Sequence, residues 1–304
     1  MNRSALTGVA LPFIIVTLIW SSTWIVIREG LGVVPPAWSV CYRFAVGALG
    51  MAVVARMSGQ SLRIGARGVM FAGLLGLAQF SLNFNLLYRA EAHLTSGLCS
   101  LVYALLVIPN SLLARLVFRE RVSGAFMAGS AVAIAGVALL FVNEYRASIS
   151  AGPGAVLLGL GLCTLGVLCA SLANVMQAAP IARALPMAAT LSWAMAIGAG
   201  ADAVYAWAAN GAPVFDFHPA YWLGVLYLAL AGSVVTFPLY FALIQRIGAG
   251  PAAYSSLLIP IVAMGLSTLF EGYRWTPLAA VGVVLALGGM AIALRARMRR
   301  AAAA

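Results

Sequence analysis

The groups with which this 304-residue chain could do chemistry are few: seven carboxylates, two histidines, four cysteines, eighteen arginines and no lysine. Without lysine there is no P-loop lysine to hold a nucleotide phosphate and no amine for a Schiff base. His93 and His218 each stand alone, and Cys41, Cys99, Cys163 and Cys169 show neither metal spacing nor a secreted framework. The cysteines read as small buried hydrophobes, and neither a cofactor nor a metal is expected. No clustered nucleophile and base suggests an enzyme. What remains is a set of amides, hydroxyls and rings in apolar surroundings. Gln79 and Asn83 lie one helical turn apart, and Tyr103 and Asn110 lie seven apart. Thr17, Trp20 and Trp24 share a stripe, followed by Asn174 and Gln177, Thr236 and Tyr240, and Tyr254 and Ser255. Buried amides and phenols need partners in hydrocarbon, so these side chains should face an interior. There they either tie helices together or line a solute cavity. The candidate substrate-binding set is Trp20, Trp24, Gln79, Asn83, Tyr103, Asn174, Gln177, Tyr240 and Tyr254. Rings of this kind stack on apolar solutes and face an ammonium for ~0.5–2 kcal/mol. A mostly uncharged, aromatic cavity suits a neutral or zwitterionic solute. It suits a sugar phosphate poorly, since that ligand calls for Arg or Lys.

The elements that must position these residues are set by composition. Hydrophobic residues make up 63% of the chain and charged residues 8%, against roughly 25% charged in soluble domains. Ten apolar runs are long enough to span a bilayer: 8–27, 38–54, 68–88, 94–114, 124–142, 154–177, 187–208, 219–245, 251–270 and 276–294. Runs of this length without strict alternation mean helices, so the fold class is an all-α integral membrane protein. Asp202 and Arg43 are the ionisable residues inside runs; Asp202 reads as interfacial, and Arg43 as tying helix ends. Trp38, Tyr42, Tyr145, Tyr205, Trp207, Tyr221, Trp222, Tyr273 and Trp275 fall near run ends, where aromatic belts are expected.

The net charge of +11 is explained by orientation. With the N-terminus inside, thirteen arginines fall in inner segments and four (Arg28, Arg89, Arg146, Arg274) in outer ones. The positive-inside rule then puts both termini in the cytoplasm, and the expected location is a bacterial inner membrane. The basic segments are short and carry no reading module, so nucleic acid is not an expected partner. The first run is too long for a signal peptide and lacks a small-residue cleavage site, so it should be retained.

A repeat divides the chain near Gly152, into 1–150 and 151–304. Pro109 precedes Glu120 by eleven residues, as Pro260 precedes Glu271. Beyond each Glu comes a stripe of small residues, Gly129, Ala133 and Gly136 or Gly282, Ala286 and Gly289, spaced to let helices approach closely. Five spans is an odd number, so the halves must be inverted. Inverted repeats are a transporter signature, with a site between the halves. Pro109 and Pro260 are candidate hinges or gates. The stripes could join two copies or pack within one, which leaves a monomer or homodimer.

Trp20-Ser21-Ser22-Thr23-Trp24, Pro35-Pro36, Arg43-Phe44, Ala114-Arg115-Leu116 with Glu120-Arg121, and Pro260 with Glu271-Gly272 resemble the drug/metabolite transporter superfamily, specifically its EamA-type ten-helix members. The likeness covers essentially the whole chain. Ser21 stands where the family usually has Gly, and Arg119 replaces the usual Gly before the first-half Glu. The Trp- and Tyr-rich pattern is most similar to YddG-type exporters of aromatic and other neutral amino acids. The resemblance implies a ten-helix basket around a cavity that opens alternately to each side. The expected function is export of small neutral metabolites, aromatic amino acids first. With no energising site and no convincing buried carboxylate, downhill efflux leads, and a proton-coupled drug/metabolite antiporter using Asp202 or a loop carboxylate is the alternative.

Overall fold

The computed structural model describes residues 3–119, 123–147, 153–247, 252 and 255–301. Gly152, Glu120, Arg121 and Tyr254, all named above, lie outside the described residues. Regular structure among those described is helical. Ten helices form the bundle: α1 (Arg3–Glu29), α2 (Pro36–Met57), α3 (Gly65–Glu91), α4 (Ser96–Phe118), α5 (Gly124–Ala147), α6 (Pro153–Ala178), α7 (Met187–Asn210), α8 (Pro219–Arg246), α9 (Ser255–Phe270) and α10 (Pro277–Ala301). Nine are long and apolar enough to cross a membrane, and the described part of α9 is a shorter apolar helix of 16 residues.

Local chemistry sets the ends. Pro36, Pro153, Pro219 and Pro277 each open a helix, where the missing N–H would have no partner in any case. Gly211, at φ 79°, closes α7. Arg119 closes α4 in the left-handed region at φ 57°, the one non-glycine with positive φ among the described residues. The glycine expected at that point would enter the region without a Cβ penalty. Pro109 lacks the N–H that would bond to Leu105, and α4 breaks at residues 105–106. Ile108 N donates instead to the Leu105 carbonyl at 2.8 Å. Its counterpart Pro260 sits inside the unbroken helix α9, so the two prolines bend their helices differently.

Two π turns interrupt the bundle, at Gly76–Leu82 in α3 and Leu230–Val235 in α8. The first opens eleven residues after Gly65 and the second eleven after Pro219. α3 and α8 are therefore equivalent helices in the two halves. Packing follows the same relation: α1 lies on α8 as α6 lies on α3, α1 on α9 as α6 on α4, and α2 on α8 as α7 on α3. The pairs α2–α7, α4–α9 and α5–α10 sit across the two-fold. Between α2 and α7, Cys41 Sγ donates to the Ala199 carbonyl at 3.4 Å, and Ser192 Oγ donates to that of Ala48 at 3.0 Å. Within each helix the donor and the acceptor stand seven residues apart, Cys41 and Ala48 on α2 and Ser192 and Ala199 on α7, so the two bonds are two-fold copies of one another.

The small-residue stripes meet inside the chain. A Cβ on Gly136 would lie 2.3 Å from Ala286 N, and one on Gly289 would lie 2.4 Å from Ala133 N. These faces are consumed by α5–α10 packing and leave no stripe for a second copy.

Candidate functional site

A cavity of about 120 Å³ lies among α1, α2, α3, α4, α6, α8 and α9. Five of these carry the residues expected from the sequence. α1 brings Trp20 and Trp24, one turn apart. The Trp20 ring stands edge-on to Tyr240 at 4.9 Å and Phe237 at 5.5 Å, and Trp24 stands edge-on to Tyr103 at 5.3 Å. Tyr103 Oη donates to Asn83 Oδ1 at 2.8 Å, and Asn83 Nδ2 donates to the Gln79 carbonyl at 3.2 Å. Gly166 of α6 makes room for this phenol, since a Cβ there would lie 2.3 Å from Tyr103 Oη. Gln79 Oε1 is buried without a partner. Asn174 enters from α6.

Trp20, Trp24, Gln79, Asn83, Tyr103, Asn174 and Tyr240 thus all surround one cavity. Gln177 is buried but is not among the residues around it. Asn110 does not line it either, because the break at residues 105–106 cancels the seven-residue spacing from Tyr103. The cavity also takes in Thr23, Phe84, Ser100 and Ser255.

Three expectations about charged and aromatic residues are corrected. Arg43 does not tie helix ends: it is 1% exposed and lines the cavity. Its Nε donates to Ser233 Oγ at 3.2 Å, Nη1 to Tyr88 Oη at 3.3 Å and Nη2 to the Gly232 carbonyl at 3.5 Å. The π turn of α8 presents that carbonyl, which also accepts from Trp20 Nε1 at 3.3 Å and Thr236 Oγ1 at 2.7 Å. Asp202 is not interfacial: it is fully buried, and Asn85 Nδ2 donates to its Oδ1 at 2.8 Å. Trp38, Tyr221 and Tyr273 do not join an exposed belt but are buried. Tyr221 shares a hydrogen bond with Ser39 at 2.8 Å, so it closes a helix contact rather than facing the membrane boundary.

The sequence reading passed over Glu91, the last residue of α3, because the apolar run ends at Tyr88. It is fully buried, and neither carboxylate oxygen has a hydrogen-bond partner. Arg28 donates to its main-chain carbonyl. Close by, Glu271 accepts from the first backbone N–H of α4, that of Ser96, at 3.1 Å, and from Ser267 Oγ. A carboxylate at a helix N-terminus meets the positive end of the dipole. A second cavity of about 650 Å³, between the C-terminal part of α1 and the N-terminal part of α8, reaches Ile27, Ser39, Tyr88 and Asp216. Ile27 borders both cavities, and the Arg43–Tyr88 bond joins the wall of one to the wall of the other.

Known proteins share this architecture. The model of the family described as "EamA-like transporter family" matches residues 7–142 and again 157–295. A "Probable terminal-alkyne amino-acid exporter" of Streptantibioticus cattleyicolor is 27% identical, over 96% of this chain and 94% of its own length. A "Probable amino-acid metabolite efflux pump" of Escherichia coli strain K12 is 25% identical, over 92% of each chain. A solved crystal structure superposes with a TM-score of 0.69 at 20% identity, covering 98% of this chain and 99% of its own, and shares the fold.

Proposed function

The chain belongs to the EamA-like transporter family, and from that premise we propose that it exports small neutral metabolites, aromatic and other neutral amino acids first. It is a multi-pass membrane transporter and not an enzyme. The observation that carries the substrate reading is the lining of the central cavity, where Trp20, Trp24, Tyr103 and Tyr240 stand beside Gln79, Asn83 and Asn174. Rings take an aromatic side chain, and the amides, with Arg43 on the same lining, take a charged head group. The relatives whose names include amino-acid export support the same class. The working cycle proposed is alternating access between residues 1–150 and 151–304. The Arg43–Tyr88 hydrogen bond, with Ile27 bordering both cavities, closes the outer side, and the break before Pro109 supplies one bend. Pro260, in an unbroken helix, is the stiffer partner.

Downhill efflux rested on the want of a buried carboxylate, and Glu91 withdraws that support. Proton-coupled antiport is therefore carried as a second reading, favoured by a fully buried carboxylate with no hydrogen-bond partner. An unpartnered charge is costly there, so Glu91 rather than Asp202, which already holds Asn85, is its proton carrier. The test is uptake of labelled phenylalanine or tryptophan into proteoliposomes with and without a pH gradient. Saturable uptake is expected, falling about tenfold or more in Trp20→Ala and Asn83→Ala, a loss of ~1.4 kcal/mol. Gradient-independent uptake that survives Glu91→Gln supports the facilitator; gradient-driven uptake lost in Glu91→Gln but kept in Asp202→Asn supports antiport. No uptake above empty liposomes, by folded protein, sinks the amino-acid assignment.

A further inference from the structure

Arg43 is a buried cation with no anion to meet it. Among the described residues the one ion pair is His218–Asp216, at 2.7 Å, outside the spans. The hydrogen-bond partners of Arg43 are all neutral: a serine hydroxyl, a tyrosine hydroxyl and a main-chain carbonyl. Those three bonds use three of the five N–H donors that a guanidinium carries. Its carbon stands 4.4 Å from the Phe84 ring centroid and 5.1 Å from that of Phe44, which holds the plane of the fork. Glu91, three residues beyond Tyr88 on α3, lies within electrostatic reach but makes no ion pair with Arg43. A buried charge without a counter-ion is costly. Here it also lines the solute cavity, so the missing anion has a place to arrive.

Opposite chemistry is present in the same cavity. Gln79 Oε1 is a buried acceptor without a donor, and Gln79 lines the same cavity. One cationic fork with two N–H donors to spare and one orphan acceptor, set among aromatic rings, match the two ends of an α-amino acid zwitterion.

We propose that Arg43 is the carboxylate receptor of the central cavity, with Gln79 Oε1 receiving the ammonium group. This deepens the amino-acid reading and rests on it for the ammonium half, whereas the carboxylate half holds for any carboxylate-bearing solute. Arg43 then determines specificity: solutes with a carboxylate bind, and amines of the same shape do not. Returning empty, the fork falls back on Tyr88 and the outer side stays closed.

The experiment is ligand-induced thermal stabilisation of the purified full-length protein by phenylalanine, 3-phenylpropionate and phenethylamine. Phenylalanine and 3-phenylpropionate are expected to stabilise the wild type at concentrations about tenfold or more below those of phenethylamine, the size of one charge-assisted hydrogen bond lost. Arg43→Gln should erase that preference, and Arg43→Lys should keep part of it, since a lysine carries the charge without the fork. Gln79→Leu should weaken phenylalanine but not 3-phenylpropionate. If Arg43→Gln does not fold, the wild-type comparison still decides. Phenethylamine acting as well as phenylalanine, or none of the three acting, overturns the proposal. Stabilisation by 3-phenylpropionate but not by phenylalanine keeps Arg43 as a carboxylate receptor and sinks the amino-acid reading.

Discussion

Arg119 shows how much one side chain can report. It is exposed at the end of α4 with φ 57°, a conformation that costs a non-glycine residue ~1–2 kcal/mol. Arg119→Gly should therefore stabilise the protein by about 0.5–1 kcal/mol after the added chain entropy of glycine is deducted, read as a higher melting temperature in detergent with transport unchanged. An unchanged or lower melting temperature would mean that Arg119 makes up for its backbone elsewhere. Most site residues could be picked out from the sequence because hydrocarbon leaves an amide or phenol few places to go. Trp20, Gln79, Asn83, Tyr103 and Tyr240 meet for that reason. Arg43 could not be assigned the same way, since its partners Gly232 and Ser233 lie about 190 positions along the chain and depend on the register of α8. Glu91 was missed for a simpler reason: it extends a helix past the end of an apolar run, and only the helices packed on that end of α3, α6 foremost, decide that it is buried.

At the scale of the element, apolar length alone gave the spans, and prolines marked many of their starts. Breaks and π turns were hidden, because they depend on which carbonyl each N–H reaches rather than on residue type. The small-residue stripes were visible but their partner was not. Two adjacent glycines of α10 test the partner now assigned. A Cβ on Gly289 would run into Ala133 N at 2.4 Å, whereas one on Gly288 meets nothing within 4 Å. Gly289→Ala should cost about 1–3 kcal/mol by overpacking against a backbone. Gly288→Ala should be neutral or gain up to ~1 kcal/mol of helix propensity. Equal melting temperatures for the two variants would mean that α5 and α10 are not in contact at this seam.

The whole molecule is a pair of inverted halves whose mirrored contacts run through α2 and α7. Their order along the chain was readable from the matching Pro-to-Glu spacings and stripes, although those alignments were ragged at nine against eleven residues from Glu to stripe. The equal depth of the π turns is the cleaner signal, and it exists only in three dimensions. Orientation belongs to this scale too, because arginines are counted over the entire chain. With thirteen inner and four outer arginines, both ends should face the cytoplasm. A fluorescent protein fused after Ala304 should glow in cells, and an alkaline phosphatase fused there should be inactive; the reverse pattern would turn the molecule over in the membrane.

The paired π turns also say how far the two halves depend on each other. A wide turn is one residue too many in a helix, and α3 and α8 carry theirs at the same depth. Two separate insertions would have no reason to agree. The wide turn is therefore one device used twice, and each copy serves the same cavity: the wall is shared between α1, α2, α3 and α4 of one half and α6, α8 and α9 of the other. Neither half encloses the site without its counterpart.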